Sequence, residues 1–270
     1  MQRPRAHIFA LAIAAAMLLL AMSGAAVTSL HDQPTQAGYE SFHLIFSIVV
    51  FVLILALAIV LARTKSQAAG WTALAIATAE GGLGHHASGP VTGTLHAILA
   101  AVLFAALSAI VLSTSRTWSQ EPELVRDYGW PSLRFLSSAT AVLVAIQVGY
   151  GAGFRHSAVG VFPHLIGALI VALFIMIVGA FVSNQFPRHA TLKPIAVALM
   201  IITGIQVFLG MTAFIMRMMN IAISMVWLAV RVAHVATGSL TLAAIVMLAI
   251  EIRRDVLPRE TNPCETPQGV

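Results

Sequence analysis

Cysteine is almost missing from this chain: there is one, Cys264, in 270 residues. A lone cysteine excludes an intrachain disulfide and a thiolate metal site. Charge is scarce as well. Asp, Glu, Lys and Arg make up 9% of the residues, against about a quarter in an ordinary soluble domain, which excludes a soluble globular fold. The net charge of +5 is spread over loops in ones, twos and threes, so no basic stripe exists to predict nucleic-acid binding.

What the chain has instead is apolar sequence, 59% hydrophobic residues at a mean hydropathy of +0.91. A helix needs roughly 20 apolar residues to cross a hydrocarbon core. Eight runs qualify, near 8–27, 43–61, 71–83, 95–112, 135–151, 164–182, 195–214 and 226–250. The third is the shortest and contains Glu80 and a glycine pair. Eight spans put twelve Lys and Arg on the side of the N-terminus and three, Arg155, Arg217 and Arg231, on the other. That bias predicts an all-α protein of the inner (plasma) membrane, spanning the bilayer eight times with both termini cytoplasmic. A cleaved signal peptide is the competing reading, since "MQRPR", an apolar run and "SGAAVTS" follow one another. Cleavage would leave an odd number of helices and break an internal repeat.

That repeat is a helical hairpin. Three odd-numbered runs end outward in "EGGLG" (80–84), "QVGYG" (147–151) and "QVFLG" (206–210), and a histidine opens the next run: His96, His164 and His234. The first hairpin keeps Gly24 and then His43, in "YESFHLIFS" (39–47). The one long polar connection, "STSRTWSQEPELVRDYGWPSLR" (113–134), splits the spans into two pseudo-repeated four-helix bundles. The expected division is an N-terminal half, 1–113, a cytoplasmic linker, 114–134, a C-terminal half, 135–252, and a polar tail, 253–270. One turn below each histidine stands a small residue, Ser47, Ala100, Ala168 or Gly238. Such residues serve close helix packing in membranes; four in matching places also leave flat space beside each imidazole.

A single histidine at a helix end is usually an interfacial hydrogen-bonding group. One pair in each bundle suggests ligands. Zinc wants three or four protein donors in a tetrahedron, whereas haem brings four nitrogens and asks for one or two axial imidazoles in an apolar slot. The expected pairs are His43 with His96 and His164 with His234, near the outer face. Haem propionates need cations, and Arg155, Arg217 and Arg231 all lie in the second half, so that half should hold its haem more tightly. Glu40, one turn before His43, suits a ligand-orienting or acid–base role, or simply complements the helix dipole. Glu80 stands where the repeat has Gln and could be hydrogen-bonded or part of a proton path. His85 and His86 read as solvated loop residues, although either could substitute for His96.

These residues resemble the heme A synthases, whose members have eight membrane helices in two four-helix halves, a histidine on each even helix and a Glu-x-x-His-Arg motif opening the second. "ESFH" (40–43) matches the Glu and His of that motif, and "GGLGHHASGPVTGTLHAILAAVLF" and "QVGYGAGFRHSAVGVFPHLIGALIVALF" look like the family's third-to-fourth and fifth-to-sixth hairpins. The resemblance implies a bis-His haem b in the C-terminal half and haem O as substrate in the N-terminal half, its ring methyl oxidised to the formyl of haem A for terminal oxidase biogenesis, with Glu40 required. It also implies an electron donor and, as partners, haem O synthase and terminal oxidase subunits. Two features depart from the family: Leu44 replaces the motif's Arg, and the outer loops lack the cysteine pairs of some members. Two other functions need the same four histidines: a non-catalytic dihaem b electron carrier linked to quinone, and an assembly factor that carries haem unchanged.

Overall fold

A computed structural model describes residues 3–31, 33–87 and 89–258; Cys264 and most of the polar tail lie outside them. The described chain is built on eight α-helices: α1 (Arg3–Ser29), α2 (Gln36–Leu61), α3 (Gln67–Gly84), α4 (Pro90–Thr114), α5 (Leu133–Arg155), α6 (Val161–Gln185), α7 (Leu192–Met218) and α8 (Met225–Asp255). Among the described residues seven of them, all but α3, are long and apolar enough to cross a membrane. The protein is therefore a helical, multi-pass membrane protein. α3 has 18 residues and contains the buried Glu80, which sets it apart from the other seven.

The helices start one to seven residues before the apolar runs do, and three of the starts carry a recognisable cap or N-terminal proline. Pro90 opens α4, where a missing N–H costs nothing. Ser132 and Ser224 cap α5 and α8, their hydroxyls accepting from Phe135 N at 3.4 Å and Trp227 N at 3.2 Å. This corrects the expectation that the histidines head their helices. His43, His96, His164 and His234 lie inside α2, α4, α6 and α8, roughly 5 to 14 Å below the first residue at 1.5 Å per residue.

The first four helices pack in a closed ring, α1–α2–α3–α4, and the last four in another, α5–α6–α7–α8. Contacts of α4 with α5 and α8, and of α1 with α8, form the seam. Each ring has its own apolar core. Ile13, Met17, Ile54, Leu57, Leu103 and Leu107 lie in the first, and Ile175, Val178, Leu192, Leu199, Ile245 and Leu248 in the second. Ala101 and Ala105 of α4 belong to the second core and Ala243 of α8 to the first, so small side chains let the rings approach at the seam. Phe42, Leu169 and Phe208 point outward, 56%, 74% and 70% exposed, as suits a surface whose solvent is lipid.

At the end away from the histidines the 113–134 connection is fastened to the end of α8. A short parallel ladder pairs β1 (Val125–Arg126) with β2 (Val256–Leu257). Arg134 donates to the carbonyls of Val256 (2.8 Å) and Arg253 (3.0 Å), and Arg254 donates to that of Gln120 at 2.7 Å. Asp127, buried, accepts from Leu133 N and Gly129 N. The boundary expected at 252 consequently falls inside α8, which runs to Asp255. Two arginines in its last turn complement the helix dipole and extend it.

Candidate functional site

Each of the four half-buried histidines is seated on a glycine of the preceding odd helix. A Cβ added to Gly24 or Gly84 would come 3.0 Å from Cε1 of His43 or His96; on Gly151 it would come 2.9 Å from that of His164, and on Gly210 2.7 Å from that of His234. Any larger residue would push the imidazole off. The glycines that end the outward motifs are thus the platforms on which the rings rest.

The same odd helices also engage Nδ1 of every ring. The Ser23 hydroxyl lies 2.8 Å from Nδ1 of His43 and donates to the Leu20 carbonyl at 2.7 Å. Nδ1 of His96 donates to the Glu80 carbonyl at 3.1 Å, and that of His234 to the Gln206 carbonyl at 3.2 Å. Nδ1 of His164 lies 2.9 Å from the side-chain nitrogen of Gln147, which also donates to the His164 carbonyl at 2.8 Å. A carbonyl only accepts, so Nδ1 of His96 and His234 carries the proton and Nε2 the lone pair. Fixing one ring nitrogen by an outer partner is how metal-binding histidines are oriented.

The structure brings these rings together in two pairs. His43 and His96 have centroids 6.3 Å apart and planes at 88°; for His164 and His234 the values are 6.1 Å and 86°. Two metal–imidazole bonds of about 2.0–2.1 Å in line, with a ring radius added at each end, span ~6 Å. Among the described residues no group of three or more His, Cys, Asp and Glu is arranged to hold a metal ion. A two-histidine site therefore suits a group that brings its own equatorial donors better than a bare ion.

An open cavity of about 270 Å³ lies in the first ring, walled by Met17, Ile54 and Leu103, with Leu44 and Ser47 of α2 and Glu80 and Gly81 of α3. The two carboxylates of this half are placed differently. Glu40 is exposed and accepts from Nε2 of Gln36 at 2.6 Å. Glu80 is 8% exposed, lines the cavity, and has its Oε1 3.3 Å from Nδ1 of His96.

Arg231 lies within electrostatic reach of both Arg155 and Arg217, and Arg155 within reach of His234. Arg217 stacks over Phe154 at 4.8 Å and Arg231 over Trp227 at 4.3 Å. Nε and Nη1 of Arg155 are buried and have no hydrogen-bond partner. Like charges gathered around an orphaned guanidinium are suited to an anion.

Some assignments change. Gly238, below His234, is a seat for the Gln206 amide, whose nitrogen would lie 3.0 Å from a Cβ there; the Gln206 carbonyl oxygen accepts from Thr237. Small residues below the histidines thus also make room for amides, not only for a flat ring. Ser47 lines the cavity, while Ala100 packs against the first core. His85 and His86 are exposed and stack edge to face at 5.0 Å, away from the paired rings. His156, an outer-side histidine to which the sequence assigns no role, packs on Gly93 of α4 from the end of α5. Burial, then Arg155 and His96, hold it down to about 4, so it is neutral near pH 7. Gly93, one turn before His96, is its only trace in the sequence.

No protein-family model matches the chain, and no curated protein is significantly similar to it.

Proposed function

We propose that this protein is a heme A synthase-like membrane oxidoreductase: it holds a haem b in the second ring and oxidises the ring methyl of haem O to formyl in the first, supplying haem A to a terminal oxidase. The observation that carries this reading is the pairing of histidine rings about 6 Å apart, each turned by an odd-helix partner at Nδ1. In this reading α3 is an eighth crossing, since its 18 residues reach roughly 27 Å at 1.5 Å each and it packs between α2 and α4. The two closed rings are then pseudo-repeats in the plasma membrane, both termini cytoplasmic and the histidine pairs near the outer face.

The residues fit the groups assigned to them. His164 and His234 would hold haem b, and Arg155, Arg217 and Arg231 its propionates; when bound, it supplies one-electron transfer. His43 and His96 would hold the substrate, haem O, above the cavity walled by Ile54 and Leu103. Two successive hydroxylations of the methyl, each taking an oxygen atom and a two-electron oxidation from an external oxygen-donating oxidant, would give a geminal diol that loses water to leave the aldehyde. Glu40, exposed three residues before His43 and hydrogen-bonded to Gln36, would pass protons between the site and water. Leu44 offers no charge where the family motif has Arg, so substrate propionates rest on other groups and the first site holds its tetrapyrrole more loosely. An electron donor, haem O synthase and oxidase subunits are the partners implied.

Expression with a haem O supply and extraction of the pigments tests this. Haem A or its hydroxylated precursor should accumulate, and Glu40→Ala should abolish product while b-type haem remains. Bis-His haem without any oxidised haem would overturn the synthase reading. That result would favour a dihaem b-type electron carrier, the alternative to which the near-identical geometry of the two pairs gives support.

A further inference from the structure

We propose that Glu80 is a positioning residue that makes His96 the strongest donor of the four histidines, and so sets the first-ring haem at a lower reduction potential than its ligands alone would give. The inference rests on the haem sites proposed above and concerns what makes them unequal.

Leu20, Glu80, Gln147 and Gln206 occupy one structural position. Each lies four residues before the glycine that seats a ring, Gly24, Gly84, Gly151 or Gly210, and for His96 and His234 that residue's backbone carbonyl accepts from Nδ1. What differs is the side chain. Leu20 brings no polar atom, and Ser23 serves His43 instead. Gln147 brings a neutral amide to His164 at 2.9 Å. Gln206 turns its amide to Thr237. Only Glu80 brings a carboxylate, 3.3 Å from the Nδ1 of its histidine.

That carboxylate is in an expensive place. It is 8% exposed, and its Oε1 faces Nδ1 of His96. A carboxylate on an apolar cavity wall with no Lys or Arg beside it is destabilising unless the site uses it. Its use follows from the contact. The Nδ1 proton of His96 goes to the Glu80 carbonyl, and a negative charge 3.3 Å from Nδ1 polarises that N–H, pushes electron density to Nε2 and raises the ligand's basicity. A more basic axial ligand favours the ferric state over the ferrous. Glu80 and Gly81 also line the cavity, so the charge stands beside the reacting site and not beside the resident haem.

The test is a redox titration of the full chain in membranes, loaded with haem b in both sites, with haem content measured by extraction. The potential that disappears in His43→Ala belongs to the first ring. Glu80→Gln keeps the shape and removes the charge. It should raise that potential by at least a tenfold change in the ferric-to-ferrous partition, ~59 mV for one electron, and leave the other in place. Gln147→Glu should lower the second potential in the reciprocal sense. Full haem content with an unmoved first potential in Glu80→Gln overturns the inference. If Glu80→Gln sheds its haem, Gln147→Glu decides: a lowered second potential supports the effect, an unmoved one refutes it. A wild-type chain that binds no haem through His43 and His96 would fail at the level of content, overturning the haem reading itself.

Discussion

Ser23 Oγ stands 2.8 Å from Nδ1 of His43, and its proton is committed to the Leu20 carbonyl at 2.7 Å. The serine must therefore accept from Nδ1–H, which leaves Nε2 of His43 with its lone pair free. Ser23→Ala removes the side-chain acceptor and loosens the ring. Loss of an outer-shell partner typically costs 10- to 100-fold in affinity, so first-ring haem affinity should fall by about that much while the second is unchanged. Haem titration of the variant measures both, and equal affinities in variant and wild type would remove Ser23 from the site.

Gly210 and Gly204 lie on the same helix and make a matched pair. A Cβ on Gly210 would come 2.7 Å from His234 Cε1, whereas one on Gly204 meets nothing within 4 Å. Gly210→Ala should displace the imidazole and abolish the low-spin b-type spectrum. Gly204→Ala should keep the spectrum and stabilise the helix by up to ~1 kcal/mol. Absorption spectra and thermal melts of the two variants separate a ring-seating role from a general intolerance of alanine in α7.

The membrane class and most of the helix bodies were legible in the sequence, because apolar runs of this length have one economical solution in lipid. Where helices begin was less so for α2 and α4, which start seven and five residues before their apolar runs, than for α5 and α8, capped by Ser132 and Ser224 within two residues of theirs. Glycines before each histidine stood out as a motif, but that they carry the rings depends on how neighbouring helices are rotated, which spacing does not specify. For the same reason the sequence, which favours Glu40 over Glu80 as the catalytic carboxylate, does not show which of the two is buried. One residue's place on its helix sends Glu40 to the surface and Glu80 to His96. The seat of His156 was not legible because its neighbour Gly93 is on another helix, across the seam.

Arg155 opposes stability and binding. Its Nε and Nη1 are buried without partners, and Arg231 repels it. Replacing an uncompensated buried charge by a neutral side chain is stabilising when nothing else depends on it. Arg155→Gln should accordingly raise the melting temperature of haem-free protein and weaken haem binding in the second ring. Calorimetry of the haem-free form and haem titration check the opposite signs; a variant less stable without haem would mean the guanidinium is satisfied by the protein itself.

His156 provides a pH signature separate from the paired histidines. Its folded value of about 4 lies below the ordinary 6.5 because of burial first, then Arg155 and His96. The native state therefore binds fewer protons than the unfolded chain between about pH 4 and pH 6.5. Stability from keeping this ring neutral is full above the upper value and is lost progressively as pH falls toward about 4. His156→Gln removes the titration while keeping a polar group against Gly93. Between about pH 7 and pH 5 the wild type should lose more thermal stability than the variant, and the two should fall in parallel below about pH 4, where the remaining carboxylates dominate both. Parallel curves throughout would show that His156 is as free to protonate in the folded chain as in the unfolded one.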